Sequence, residues 1–408
     1  MTQSESQATL RLPWRIVWAL SVTQIVSWGS IYYAISVLLQ SIETELGWSR
    51  DAIIGAYSLS LLCAAFGAFP VGAWIDRHGG RAVMTAGSIV AALLFLIMSQ
   101  THSLIVFYAL WVGLGFSMAM LLYEPAFAVI TQSFRGSARK GITMLTLSGG
   151  FASTVFWPFT QLLISTIGWR YALVALALCN LVVCAPLHAL FLPPTAHLDP
   201  TGDRKNAVLA NRAPTLGLRE VLATRAFWML AIAFSANMLA FSALSVHIIP
   251  LLHEKKFAMA DAVWIAALIG PMQVAGRIGE LTIGSRYRAT QVAAFALAML
   301  PVALMSLSYS VSPWLVILAF VVPYGASNGI MTITRGIIPI EIFGRERYGA
   351  VNGALATPVA AARAGGPFVA AIVWSASGGY TVVLWTIAGI GVLSLATFGL
   401  ALADRSRP

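Results

Sequence analysis

Charge is scarce in this sequence of 408 residues, with Lys, Arg, Asp and Glu together making up 10% of it. Soluble domains carry about 25%, so an ordinary water-exposed globule is excluded. Cysteine is scarcer still. Cys63, Cys179 and Cys184 fall within apolar runs at no metal-ligand spacing, which excludes a disulfide framework and leaves three small buried side chains. There is no G-x-x-x-x-G-K phosphate loop, no His/Cys cluster, and no nucleophile with a plausible base partner. An enzyme is therefore not expected, and neither a metal nor any other cofactor is called for. A cleavable leader is not expected either, because Met1 to Leu10 is polar, contains an acid, and precedes a run too long to be removed. The first helix is read as its own insertion signal.

What is present is apolar. Hydrophobic residues make up 59% of the chain and the mean hydropathy is +0.81, so lipid is its main solvent. A helix needs about 20 apolar residues to cross about 30 Å of hydrocarbon, and twelve runs qualify, at roughly 16–40, 52–74, 82–99, 103–131, 141–166, 170–192, 226–252, 261–284, 291–309, 314–340, 349–374 and 380–403. The fold class expected is an all-α membrane protein of twelve transmembrane helices in two pseudo-symmetric six-helix bundles. Residues 1–192 would form the first bundle, 193–225 a polar cytoplasmic loop with Asp199, Asp203, Arg204, Lys205 and Arg212, and 226–408 the second bundle.

A net charge of +10 raises nucleic acid as a partner, but its distribution excludes it. With the amino terminus inside, the loops of that side and both termini hold 18 of the 25 Lys and Arg residues, the opposite loops hold Arg50, Arg170, Lys255 and Lys256, and three lie within spans. That asymmetry orients a multi-pass protein in the cell inner membrane with both ends cytoplasmic. The halves also match weakly at an offset of about 209 residues, Trp157-Pro158-Phe159 falling against Gly366-Pro367-Phe368 and Phe134-Arg135-Gly136 against Phe343-Gly344-Arg345. Duplicated halves are a common way to build a transport site.

The loop after the second run reads Gly72-Ala73-Trp74-Ile75-Asp76-Arg77-His78-Gly79-Gly80-Arg81. It resembles the G-x-x-x-D-R-x-G-R signature of the major facilitator superfamily, in the loop where that family carries it. The resemblance covers the whole chain and implies two bundles that rock about a central cavity lined by the first, fourth, seventh and tenth helices, with a monomer as the working unit. Gly72, Asp76, Arg77, Gly79 and Arg81 would form a clasp that biases which side is open.

Arg277 is the residue that points furthest towards function. A guanidinium stays charged at ordinary pH, and placing it at membrane depth costs at least about 2.5 kcal/mol unless water, an acid or an anion compensates. Gln273 lies four residues earlier on the same helix face, where it would orient a carboxylate held by the guanidinium. Glu280, three residues later, offers the alternative of an intrahelical pair. The segment Met272-Gln273-Val274-Ala275-Gly276-Arg277 is similar to the eighth helix of monocarboxylate transporters and oxalate:formate exchangers, where an arginine at the matching place binds the substrate carboxylate. Monocarboxylate carriers have an aspartate where this chain has Gln273, so a proton would need another carrier. In the exchangers a basic residue on the eleventh helix corresponds to Leu355, and Arg363 comes about two turns later.

Arg335 and Arg363 lie in other apolar runs and would add attraction for an anion, Arg363 either facing the cavity or bonding between helices. Glu124 is an acid at membrane depth, where burial would raise its pKa and let it carry a proton; a pair with Arg335 that opens and closes is one role, a permanent pair another. His247 is read as a proton-sensitive gate or a hydrogen-bonded packing residue. Tyr33, Tyr123, Tyr324 and Asn328 are the aromatic and amide groups expected on cavity helices.

These readings converge on a secondary transporter of a small anionic substrate, a carboxylate above all, with protons or a second anion as the coupled species and the bilayer as the other partner. An efflux carrier for drugs or other amphipathic compounds on the same fold is the alternative. A sensor or membrane enzyme would need domains or catalytic sets that are not found.

Overall fold

The computed structural model of the protein describes residues 3–133, 138–194, 222–309, 312–343 and 348–404. Every regular element among them is helical, as expected where no water is at hand to satisfy backbone groups. In chain order, α1 (Gln3–Ser27) passes through a π-helical turn (Trp28–Tyr33) into α2 (Ile35–Leu46). There follow α3 (Arg50–His78), α4 (Gly80–Met98), α5 (Leu104–Leu121), α6 (Tyr123–Ser133), α7 (Ala138–Gly149), α8 (Ala152–Leu178), a second π turn (Cys179–Cys184) and α9 (Ala185–Phe191). The remainder holds α10 (Arg225–Glu254), α11 (Met259–Ala267), α12 (Ile269–Thr282), α13 (Ala289–Tyr309), α14 (Pro313–Val316), α15 (Val322–Phe343), α16 (Tyr348–Ser377) and α17 (Tyr380–Asp404).

Eleven helical stretches among the described residues are long and apolar enough to cross a membrane. One of them, Gly141–Phe191, has 51 residues, more than twice the roughly 20 a single crossing needs. Gly168, at φ 81° and ψ 160°, turns the chain in its middle, a conformation open to glycine alone. The twelve expected passages are therefore there, with one turn tight enough to hide in a continuous helix.

The chain divides into two compact units, Met1–Leu198 with Ala258–Ala267, and Asp199–Phe257 with Leu268–Pro408. The division differs from the one read in the sequence at Ala258–Ala267, which joins the first unit although it lies within 226–408. Most of the central polar loop, and the Phe134-Arg135-Gly136 and Gly344-Arg345 matches, lie outside the described residues. The first unit packs Ile16, Val17, Leu20, Ile75, Met84, Ala126, Val129, Ile130 and Leu145 into one buried cluster; the second gathers Phe227, Leu230, Phe234, Leu297, Ile338, Leu355 and Phe398.

A shared device closes one end of each unit. In the first, the Glu45 carboxylate at the end of α2 accepts from the Trp169 indole and, at 2.7 Å, from Arg170 Nε, directly after the Gly168 turn. In the second, Glu254 at the end of α10 accepts from Trp374 Nε1 at 2.9 Å and from the Tyr380 backbone N–H at 2.6 Å, across the turn made by Gly378 at φ 74°. Glu45 and Glu254 are 209 residues apart, the internal offset read from the sequence. A carboxylate beside the first N–H of α17 is also favoured by that helix's dipole.

Candidate functional site

In the second unit, α12 carries Gln273, Gly276, Arg277 and Glu280 on one buried face. Arg277 is 5% exposed and Gln273 6%. Both are held there by a close approach of α12 to α15. A Cβ placed on Gly276 would lie 2.4 Å from the Ala326 carbonyl oxygen, and one on Gly329 would lie 2.0 Å from that of Gln273. Only the absence of a side chain lets the two backbones meet, a common solution where helices must pack in lipid. Glu280, one turn from Arg277, is buried as well at 8% rather than reaching water.

The helical run that leads to Arg277 is interrupted at Leu268, between α11 and α12. Pro271 has no N–H to give the Ala267 carbonyl, which would be its helical partner. Thr154 of α8 supplies the missing donor, its hydroxyl reaching Ala267 O at 2.8 Å. Thr154 and Ala267 both belong to the first unit, which ends here at Ala267.

Arg335 on α15 and Arg363 on α16 are each half-buried. Ser242 of α10 donates its hydroxyl hydrogen to the Arg363 backbone carbonyl, and a Cβ on nearby Gly366 would lie 2.5 Å from the Leu239 carbonyl oxygen. Asn328 is half-buried, and Tyr324, 3% exposed, stacks on Phe320 at 5.0 Å between centroids, with Phe241 also at 5.0 Å. Its ring fills the core of the second unit. His247 is likewise shut away, fully buried, with Nδ1 2.7 Å from the Tyr380 hydroxyl and Nε2 2.9 Å from the Pro367 carbonyl. A carbonyl only accepts, so Nε2 carries a proton, and both ring nitrogens are engaged in packing α10 against α16 and α17. These contacts match the hydrogen-bonded packing residue that is one of the two readings of His247.

In the first unit, the π turn places Trp28, Tyr32 and Tyr33 in a continuous aromatic cluster. Trp28 meets Tyr123 at 4.9 Å and Tyr32 at 5.0 Å, while Tyr33 meets Trp157 at 5.3 Å. The carbonyls loosened by the π geometry are satisfied from other helices, Tyr32 O by the Tyr57 hydroxyl at 3.2 Å and Tyr33 O by Trp157 Nε1 at 3.0 Å. Tyr33 and Tyr123 stay half-buried at the edge of this cluster. Glu124 follows directly and is exposed, so the expectation of a carboxyl buried from solvent is not met.

The signature loop is shorter than it reads. Gly79, at φ 78° and ψ 167°, is the one residue between α3 and α4, its N–H bonded to Ile75 O at 2.8 Å. Gly72 is half-buried, Arg77 exposed and Arg81 half-buried, while the Asp76 side chain lies outside what is described.

Residues 20–367 match the family model described as Major Facilitator Superfamily. The chain belongs to the major facilitator superfamily. Among its relatives, monocarboxylate transporter 13 of Rattus norvegicus is 27% identical over 306 residues, covering 71% of this chain and 66% of that protein. Monocarboxylate transporter 11 of Homo sapiens is 32% identical over 184 residues, covering 44% and 36%. The chain thus matches between about a third and two thirds of the length of these relatives. Solved structures of similar fold include a bacterial homolog of the human lysosomal transporter Spinster, inward-facing and occupied, at TM-score 0.68 and 16% identity over 96% of this chain and 98% of that one. A mutant of the nucleoside transporter NupG gives TM-score 0.76 and 14% identity over 96% and 100%. Those likenesses bear on the fold alone. The protein is a multi-pass membrane member of that superfamily.

Gln24, Thr154 and Tyr57 escaped the sequence reading, and Trp157 entered it only as part of the repeat match. The signal for two of them was present: Pro125 and Pro271 each free a carbonyl four residues back, and a buried donor must answer it.

Proposed function

We propose that the protein is a secondary active transporter of a small organic anion, a carboxylate, which it moves across the inner membrane by alternating access. The observation that carries this is Arg277, a permanent cation buried beside Gln273 on α12 and pressed against α15 by three glycines, Gly276, Gly325 and Gly329. A guanidinium offers a carboxylate two parallel hydrogen bonds, and the Gln273 amide lies one turn away to orient it. The named relatives are monocarboxylate transporters, which supports the same substrate class. Arg335 and Arg363 add positive potential in the second unit. Glu124 is assigned the proton, or the pairing that replaces it when an anion is exchanged, because its open face lets it load and unload. Residues 1–192 and 226–408 act as the two bundles, both termini are cytoplasmic, the Gly72 to Arg81 turn is the clasp, and one chain suffices.

Uptake into proteoliposomes with and without an imposed pH gradient tests the proposal. Saturable carboxylate uptake should be lost in Arg277→Ala and kept in Arg288→Ala, which removes an exposed arginine. Carboxylate uptake indifferent to Arg277→Ala, or movement of nucleosides or cationic dyes in its place, would sink the reading.

A further inference from the structure

The fourth membrane passage is broken at Leu122, whose ψ of −156° ends α5 and restarts the chain as α6 at Tyr123. The cause is local. In an unbroken helix the Leu121 carbonyl accepts from the N–H of residue 125, and residue 125 is proline, which has none. A bare carbonyl at membrane depth is strongly disfavoured.

Gln24 of α1, fully buried, answers it. Its Nε2 lies 2.6 Å from Leu121 O and 3.4 Å from Leu122 O, and its Oε1 accepts from the Trp28 indole at 3.1 Å. One amide thereby holds two things. It fastens the broken end of α5, and it fixes the indole whose ring meets Tyr123 at 4.9 Å. Tyr123 is further confined by Phe127, stacked at 5.3 Å, and by Gly149, where a Cβ would come within 2.4 Å of the tyrosine hydroxyl. The first residue beyond this clamped tyrosine is Glu124.

We infer that Gln24 is the positioning residue of the site in the first unit: by capping the carbonyl that Pro125 releases and anchoring Trp28 against Tyr123, it determines how Glu124 is presented. The inference rests on the role assigned to Glu124 above, but the position it describes is measurable without that role.

The experiment uses the full chain in proteoliposomes, with Cys63, Cys179 and Cys184 replaced by alanine and Glu124→Cys introduced as a reporter for a membrane-impermeant maleimide. Thiol reactivity follows exposure, so Gln24→Leu should change the labelling rate by about fivefold or more, while a control thiol from Thr44→Cys on α2 keeps its rate. Pro125→Ala restores an N–H for Leu121 O and straightens the passage, so it should alter the rate by itself. Adding Gln24→Leu to Pro125→Ala should then change the rate by less than Gln24→Leu does in the wild type, because the two substitutions share one carbonyl and only the Trp28 anchor is left to lose. Should Gln24→Leu fail to assemble, Pro125→Ala and the volume-matched Gln24→Met carry the comparison. Without the reporter, Gln24→Leu should lower maximal carboxylate uptake about tenfold or more with KM little changed, as misplacement of a working group does. Labelling that ignores Gln24→Leu, or effects of the two substitutions that multiply, overturns the inference. Altered labelling with wild-type uptake leaves the positioning standing and overturns the role of Glu124 instead.

Discussion

The Thr154 hydroxyl donates to the Ala267 carbonyl at 2.8 Å, across 113 residues of sequence, and so answers the acceptor that Pro271, lacking an N–H, leaves at the end of α11. Replacing the hydroxyl by a methyl leaves that carbonyl unsatisfied. Thr154→Val is expected to cost about 1 kcal/mol of stability, within the range for a lost hydrogen bond between membrane helices. In a Pro271→Ala background, where the introduced alanine supplies the N–H, the same substitution should be close to neutral. Thermal unfolding of the purified variants checks both, and equal losses in the two backgrounds would show that Thr154 does not stand in for the N–H that Pro271 lacks.

The approach of α12 to α15 makes a sharp contrast between two glycines. A Cβ at Gly329 meets Gln273 O at 2.0 Å, whereas one at Gly279 meets nothing within 4 Å. Gly329→Ala should cost about 1–3 kcal/mol through overpacking and weaken carboxylate uptake by shifting Gln273. Gly279→Ala should be as stable as wild type or up to about 1 kcal/mol more so, since alanine is the better helix former. Melting temperature and uptake, measured together, separate the two.

Arg277→Lys tests geometry apart from charge. Lysine keeps the cation but presents a point charge in place of a planar fork. If both guanidinium bonds serve the carboxylate, losing one charge-assisted bond worth about 1.5–3 kcal/mol raises KM by about tenfold or more. Initial uptake rates over a range of substrate concentration give the answer, and a lysine variant with wild-type KM would mean that the guanidinium serves another purpose.

The two end devices should respond alike to loss of a carboxylate oxygen. Glu254 accepts from Trp374 and Tyr380, and Glu45 from Trp169 and Arg170. A glutamine has one acceptor and would turn its NH2 towards a donor. Glu254→Gln is therefore expected to lose about 1–3 kcal/mol, and Glu45→Gln less, because its partner Arg170 keeps bonds to Ser99 O and Thr101 O. Heat-induced unfolding followed by tryptophan fluorescence ranks them.

Lys255, just past the end of α10, gives a pH dependence of known sign. Desolvation holds its pKa below the usual 10.5 while its Nζ donates to Ser308 O at 3.0 Å. A base with a depressed folded value binds fewer protons folded than unfolded between the two values, so its contribution to stability improves as pH rises through that window. Below the folded value the desolvation penalty is present in full. The melting temperature of the wild type relative to Lys255→Met should therefore climb as pH is raised from neutrality towards 10.5; a difference that stays flat with pH would contradict this.

Some of the site was legible before any coordinates. Arg277 and Gln273 share a face because they are four residues apart, and the structure keeps them together and buried. Tyr324 and His247 were not legible, since one polar side chain on a cavity helix reads the same whether it lines a cavity or fills a core. Tyr324 turned out to stack on Phe320, and His247 to bond Tyr380 and Pro367. Glu124 was not legible either: an acid within an apolar run reads as buried, and its side chain is exposed.

The sequence by itself determined the number of membrane passages, the all-helical class and the superfamily, because hydrophobic length and a ten-residue loop signature are local properties that lipid reads directly. The tertiary structure alone decided which donors answer the carbonyls released by Pro125 and Pro271. A proline announces the orphaned acceptor four residues back, but Gln24 lies 97 residues from Leu121 and Thr154 lies 113 from Ala267. Only folding brings such pairs within hydrogen-bond reach.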